Sequence, residues 1–339
     1  MKTYAGIDLH SSNNFIGIIN EQDERLYQKR IPNNLNDVLT ALDPFKESLE
    51  GIVVESTYNW YWLVDGLQDN GYHVHLANPS AIQQYDGLKH TDDKWDSFWL
   101  AHMRRLNILP EGYIYPKDGR PTRDLLRRRL FFVKQRTAQI LSFQSMLERE
   151  TSLRLSGREI KKLKIEEAKS ILNQPELVFT AENFIATIKF FSERIKSIEQ
   201  NIVSQVKLVK EFELLRTIPG IGEILGLTIM LEVGDINRFP KVSNYSSYCR
   251  CVKSTRYSNN KKKGQNNKKN GNKYLAWAYV EAANFAIRFS KEAQRFYHKK
   301  KSQTNSIVAI KALGNKLSRA SYYIMRDQVP YDEEKLFQN

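Results

Sequence analysis

In the first third of the chain apolar residues come in short bounded runs, and in the middle third they recur at a four-three spacing over long stretches. The two regimes predict different architectures. Brief apolar or alternating runs predict strands over about 2–9, 14–20, 24–30, 52–55 and 72–76, with helices over 35–49 and 60–69 between them. Three hairpin-linked strands followed by βαβ units predict a mixed sheet flanked by helices. Along the first strand Ala5, Ile7 and Leu9 share one face, so Asp8 projects from the other with Tyr4 and Gly6. A second acid, Glu55, closes the run Gly51-Ile52-Val53-Val54, and in this layout the two acids can stand at neighbouring strand ends.

Over 121–206 the strand signals vanish. Leu126, Leu130, Val133, Thr137, Ile140, Gln144 and Leu147 form one four-three series, and Phe184, Ile188, Phe191, Ile195, Ile198 and Ile202 form another. Two long helices result, as an antiparallel hairpin or an intermolecular coiled coil, with a mixed connection over 151–176 that has room for a short helix. The last part opens with Thr217-Ile218-Pro219-Gly220-Ile221-Gly222 and an apolar stretch over 224–233. Glycines before a helix let backbone N–H groups approach a phosphate, and the segment resembles the hairpin of helix-hairpin-helix DNA-binding modules. A Pro-Gly turn entering a core helix has the same pattern. Helix resumes over 274–289, and the run KKKGQNNKKNGN over 261–272 predicts a mobile loop or nucleic-acid arm.

Composition adds a partner. The chain has 339 residues, room for two or three domains, and a formal net charge of +14. The excess is uneven, with eleven Lys or Arg and no Asp or Glu across 236–280. Such asymmetry points to a polyanion, and nucleic acid is the expected one. Candidate phosphate contacts are Arg123, Arg127, Arg128 and Arg129 at the start of the first long helix, Gly220 and Gly222 in the turn, and Arg250, Lys253, Arg256, Lys261, Lys262, Lys263, Lys268, Lys269 and Lys273 in the basic segment. The two cysteines, Cys249 and Cys251, are badly spaced to bridge each other, and no Cys or His cluster has zinc spacing. With no export signal and no apolar run near about 18 residues, the expectation is a reduced cytoplasmic, nucleoid-associated protein with no membrane association.

The chemistry rests on acids. Asp93 and Asp96 stand three apart on an expected helix, which puts both carboxylates on one side while Trp95, Phe98, Trp99 and His102 crowd toward another. An acid-rich helix start capped by Thr91 or Asp92 gives the same spacing. Together with Asp8 and Glu55 they form the kind of set that gathers a hard divalent cation against an anionic phosphodiester.

Gly6-Ile7-Asp8, Val53-Val54-Glu55-Ser56, the stretch from Thr91 through Asp93, Trp95, Asp96 and Ser97 to Leu100-Ala101, and Ile218-Pro219-Gly220-Ile221-Gly222 together resemble the DEDD transposases of the insertion-sequence-110 family over nearly the whole chain. The resemblance implies an α/β plus α architecture. A RuvC-like catalytic domain of RNase H fold would span 1–110, a helical hairpin or coiled-coil spacer 111–210, and a mainly helical transposase domain with the helix-hairpin-helix-like segment and a catalytic serine 211–335. It implies a recombinase guided by a structured bridge RNA that pairs with donor and target DNA. Carried over by position, the acids are Asp8, Glu55, Asp93 and Asp96, holding Mg²⁺ or Mn²⁺, with Asp92 an adjacent acid. The family's serine signature departs here, with Asn in place of Gly in Tyr257-Ser258-Asn259-Asn260; Ser258 is the expected nucleophile and Ser254 the fallback.

The expected reaction is serine attack on a metal-held phosphate, giving a covalent phosphoserine, in a dimer or tetramer whose serine can come from another protomer. Activity should depend on metal and weaken at acid pH. Two rivals share parts of this pattern: a RuvC-like structure-selective nuclease that uses water with the same acids, and a non-catalytic ribonucleoprotein scaffold.

Overall fold

The computed structural model describes residues 1–82, 93–205, 209–252, 255–264 and 270–338, without the side chains of Asp93, Lys94, Gln205, Arg256, Tyr257, Ser258 and Lys262. Two compact units result, one of Met1–Lys117 with Thr255–Asn270 and one of Asp118–Ser254 with Gly271–Asn339.

Five strands build the first unit: β1 (Thr3–Leu9), β2 (Asn13–Asn20), β3 (Arg25–Pro32), β4 (Leu49–Glu55) and β5 (Val74–Ala77), in the order β3-β2-β1-β4-β5. The first three are antiparallel neighbours, whereas β4 runs parallel to β1 and β5 parallel to β4. This is the mixed sheet that the alternation predicts. Helices α1 (Leu35–Leu42) and α2 (Tyr61–Asp69) cover the face made by Ala5, Ile7, Leu9, Ile16, Ile18, Ile52 and Val54, contributing Val38, Leu42, Leu63, Val64 and Leu67 to one dry core. Helix α3 (Asp93–Arg105) covers the opposite face, where Leu100 and Met103 pack with Val53 and Ala77, and Phe98 and Ala101 with Ile19.

The helix expected over 35–49 is shorter. Its start is capped by Asn34, whose side chain accepts from the N–H groups of Asn36 and Asp37. Pro44 has no N–H for the carbonyl of Thr40, so the chain leaves α1 at Leu42 and tightens into a 3-10 turn over Asp43–Ser48. The strand expected over 72–76 begins two residues later, because Tyr72 is taken into the core under α2.

In the second unit α4 (Arg120–Thr151) and α7 (Pro175–Gln205) form an antiparallel hairpin within one chain. Arg129 meets Glu199, Arg136 meets Ser192 and Phe143 stacks on Phe184, so each advance along α4 is matched by a retreat along α7. The connection carries two short helices, α5 (Gly157–Ile160) and α6 (Ile165–Ile171), with Ile160 and Ala168 packed into the hairpin's core. Helices α8 (Lys210–Arg216), α9 (Glu223–Val233), α10 (Val242–Tyr248), α11 (Lys273–Phe289), α12 (Lys291–Gln303), α13 (Ser306–Asp327) and α14 (Glu333–Phe337) complete the chain. Three fully buried tyrosines sit in this part. Their hydroxyls are satisfied internally, Tyr245 with Tyr279 at 2.5 Å and Tyr322 donating to the Phe239 carbonyl at 2.9 Å.

The polar segment read as a loop is ordered at its start. Strands β6 (Arg256–Ser258) and β7 (Lys261–Gly264) form an antiparallel hairpin whose two-residue turn is Asn259-Asn260, both with positive φ. Asparagine tolerates that conformation better than other non-glycine residues, which suits a hairpin turn of this length. Residues 265–269 lie outside the described residues. Among the described residues no helix is long and apolar enough to cross a membrane.

Candidate active site

Asp8 and Glu55 come together because β1 and β4 are parallel neighbours with Ile7 opposite Val54, one residue short of each acid. Their i−2 neighbours Gly6 and Val53 face α3, so both carboxylates stand on the α3 side of the sheet. Asp8 is only 3% exposed and Glu55 is half-buried.

Two glycines let α3 settle close to them. Gly6 and Gly17 are cross-strand partners. A Cβ on Gly6 would stand 1.9 Å from the Ser97 carbonyl oxygen, and one on Gly17 would stand 2.7 Å from Ser97 Oγ. Ser97 is fully buried in that contact, and its neighbour Asp96 lies close enough for its charge to act on Glu55. The field at Glu55 records the outcome. Its carboxyl is pushed up to about 8, first by burial, then by a hydrogen bond to Asp8 and by the negative charges of Asp8 and Asp96.

A histidine that the sequence reading did not single out completes the rim. His10 Nε2 lies 3.1 Å from Asp8 Oδ2. The His10 carbonyl accepts from the side-chain amides of Asn33 and Asn59 at 2.9 and 3.0 Å, which pins the end of β1. The available signal was its position two residues beyond Asp8, on the same face of the strand's extension.

Of the expected acids, then, Asp8, Glu55 and Asp96 are brought together. Asp93 lies one turn before Asp96 in α3 with its side chain outside the described residues, as are Asp92 and Ser254 entirely. Ser258 ends β6, and its side chain is likewise outside them. Among the described residues no three His, Cys, Asp or Glu groups form a ready metal cage. The donor set nonetheless fits a hard divalent cation: it offers carboxylate oxygens, and their crowding is relieved either by a proton on Glu55 or by a cation.

The expected phosphate contacts divide. Arg127 is committed to buried Glu232, with Nε and Nη2 donating to the two carboxylate oxygens at 2.6 and 2.8 Å. Arg129 donates to Glu199 at 2.8 Å, and Arg123 is buried, 3.6 Å from Asp124. Arg128 alone of these four is exposed. Gly220 has a positive φ of 93° and no room for a Cβ, which would meet the Ala282 carbonyl and the Ala286 amide of α11 at 2.5 Å. That glycine is required by packing, whereas Gly222 is exposed with open space beside it. Arg250 donates to the Gly271 carbonyl at 3.1 Å. Lys261, Lys263 and Lys273 are exposed; the side chains of Arg256 and Lys262, and all of Lys253, Lys268 and Lys269, lie outside the described residues.

A mixed five-stranded sheet with acids at the ends of its central strand β1 and the neighbouring β4, and a third acid on the helix that covers that face, defines an RNase H-like nucleic-acid-processing domain. Comparison with known families agrees. Residues 5–151 match the DEDD transposase model of insertion sequence IS110, and residues 212–298 match the model described as Transposase IS116/IS110/IS902 family. The chain belongs to the IS110 family of DEDD transposases. The four acids fall inside the first match and Ser258 inside the second. No curated protein matches the chain.

Proposed function

We propose that this transposase cuts and rejoins DNA at the Asp8–Glu55–Asp96 cluster, with Asp93 as a fourth acid, Mg²⁺ or Mn²⁺ as the metal and Ser258 as the nucleophile. A structured bridge RNA directs it to donor and target duplexes, and it works as a dimer or tetramer. The observation that carries the reading is the field at Glu55, whose buried carboxyl shares a hydrogen bond with Asp8 and feels the negative charges of Asp8 and Asp96. A purely structural fold gains nothing from such repulsion.

Asp8, Glu55, Asp93 and Asp96 would hold the metal, which when bound polarises the phosphoryl oxygens and stabilises the charge developing on them. Ser258 Oγ attacks phosphorus, and the bond from phosphorus to the departing strand oxygen breaks as the Oγ–phosphorus bond forms. The serine proton passes to solvent, and the departing oxygen takes one up. Attack by the hydroxyl of another strand then frees the serine. Each step exchanges one phosphorus–oxygen bond for another, so no high-energy cofactor is needed. Two observations support the serine. The β6–β7 hairpin belongs to the same compact unit as the sheet, and Ser80 Oγ, just beyond β5, donates to Asn270 Oδ1 at 2.6 Å.

The test is a protein–DNA adduct on denaturing gels, using DNA that carries the ends of the element. Wild type and Ser254→Ala should form it and Ser258→Ala should not. An adduct that survives Ser258→Ala would refute the assignment, and cut ends without any adduct would make water the nucleophile. Sequencing of RNA that copurifies with the protein tests the guide.

A further inference from the structure

A cavity of about 280 Å³ opens in the second unit, where α5 and the residues after it lie against α7. Its floor is apolar, with Ile160 and Ile188 buried and Leu163 and Ile185 half-buried. Its rim is cationic. Lys161, Lys189 and Lys196 are all exposed there, and Glu193 is the one acid among the lining residues. Lys189, Ser192, Glu193 and Lys196 recur at three- and four-residue intervals, which sets them along one face of α7. Ser192 is not available to a ligand: its hydroxyl donates to the Ile188 carbonyl at 2.7 Å and accepts from Arg136 Nη1 at 3.1 Å. That bond brings the Arg136 guanidinium up behind the rim.

The combination is selective. An apolar guest gains nothing from three ammonium groups, and a bare anion gains nothing from an apolar floor. A flat, largely apolar body with anionic groups on either side satisfies both. The volume falls just under the range of about 300 to 1,000 Å³ usual for small-molecule clefts, which suits a single base.

We propose that this cavity receives one unpaired nucleobase of a nucleic-acid strand, with the flanking phosphates held by Lys161, Lys189 and Lys196. The proposal requires a nucleic-acid substrate and is independent of the serine and of the guide. Both RNA and DNA carry unpaired bases, and the sugar separates the two sources.

The experiment uses full-length protein and short single strands, ribose and deoxyribose, each made intact and with one internal abasic site. The intact strand of the preferred sugar should bind about fivefold or more tighter than its abasic twin, the effect of about 1 kcal/mol of base burial. Leu163→Trp fills the floor and should erase that difference while leaving the salt dependence unchanged. The exposed pair Lys189→Ala with Lys196→Ala should lower the slope of log affinity against log salt by about 1.4. A photoreactive 4-thiopyrimidine at the same internal position should crosslink to a peptide within 160–196, a readout that stands even if Leu163→Trp misfolds. Equal binding of intact and abasic strands in both sugars, or crosslinks confined to other peptides, would overturn the proposal.

Discussion

The Glu55 carboxyl keeps its proton up to about 8 because it is buried beside Asp8 and within the field of Asp96. The folded chain therefore binds that proton more tightly than the unfolded chain, whose ordinary value is 4.5. Stability from this group is complete below about 4.5 and is lost as pH climbs toward about 8. Thermal unfolding in chelator should show a falling midpoint across that window, and Glu55→Gln, which keeps the shape and removes the titration, should flatten it. Mn²⁺ should raise the midpoint of wild type near the upper end of the window and little near the lower end. Asp8 and Glu55 were readable in the sequence because an acid closing an otherwise buried strand is anomalous. Arg127 and Arg129 were not readable as structural cations. Composition cannot tell a paired arginine from a free one, and their partners Glu232 and Glu199 stand 105 and 70 residues away.

The closest constraint on the site is the contact between α3 and the paired glycines of β1 and β2. A Cβ at Gly6 meets backbone, the Ser97 carbonyl and the Ala101 amide, which cannot swing away. A Cβ at Gly17 meets side-chain atoms of Ser97 and Phe98. Gly6→Ala should therefore cost about 3 kcal/mol or more and Gly17→Ala about 1 to 2, measured by denaturant unfolding, with Gly6→Ala also lifting Asp96 from the cluster and abolishing strand cleavage. An equal cost at the two positions would contradict this account of the packing. The long hairpin was legible because its four-three repeats bury one stripe on each helix, although the sequence left open whether its partner was the same chain. The early end of α1 was signalled by Pro44. The β6–β7 hairpin was not legible: Lys-rich strands show no alternation, and only the Asn259-Asn260 turn marks them.

Across the whole chain the net charge of +14 and the acid-free stretch predict binding dominated by phosphate contacts. With 6 to 10 such contacts, affinity for DNA should fall by roughly 10³ to 10⁵ between about 50 and 200 mM salt. Within that total, Lys261→Ala and Lys263→Ala should each lower the duplex salt slope by about 0.9, since both side chains are exposed. Arg129→Ala should leave the slope unchanged and lower stability instead, because Arg129 is spent on Glu199. Membership of the family was readable from four short motifs, and the family matches over 5–151 and 212–298 agree with it. Grouping of Thr255–Asn270 with the N-terminal sheet was not, because no local pattern records which distant surface a polar segment joins. Divalent-ion uptake probes the acid cluster without knowledge of the guide or the DNA target. In a titration of Mn²⁺ followed by electron paramagnetic resonance near pH 8, wild type should bind the ion and Asp8→Asn, still folded, should lose that binding. Identical uptake by the two proteins would contradict the claim that Asp8, Glu55 and Asp96 make a metal site.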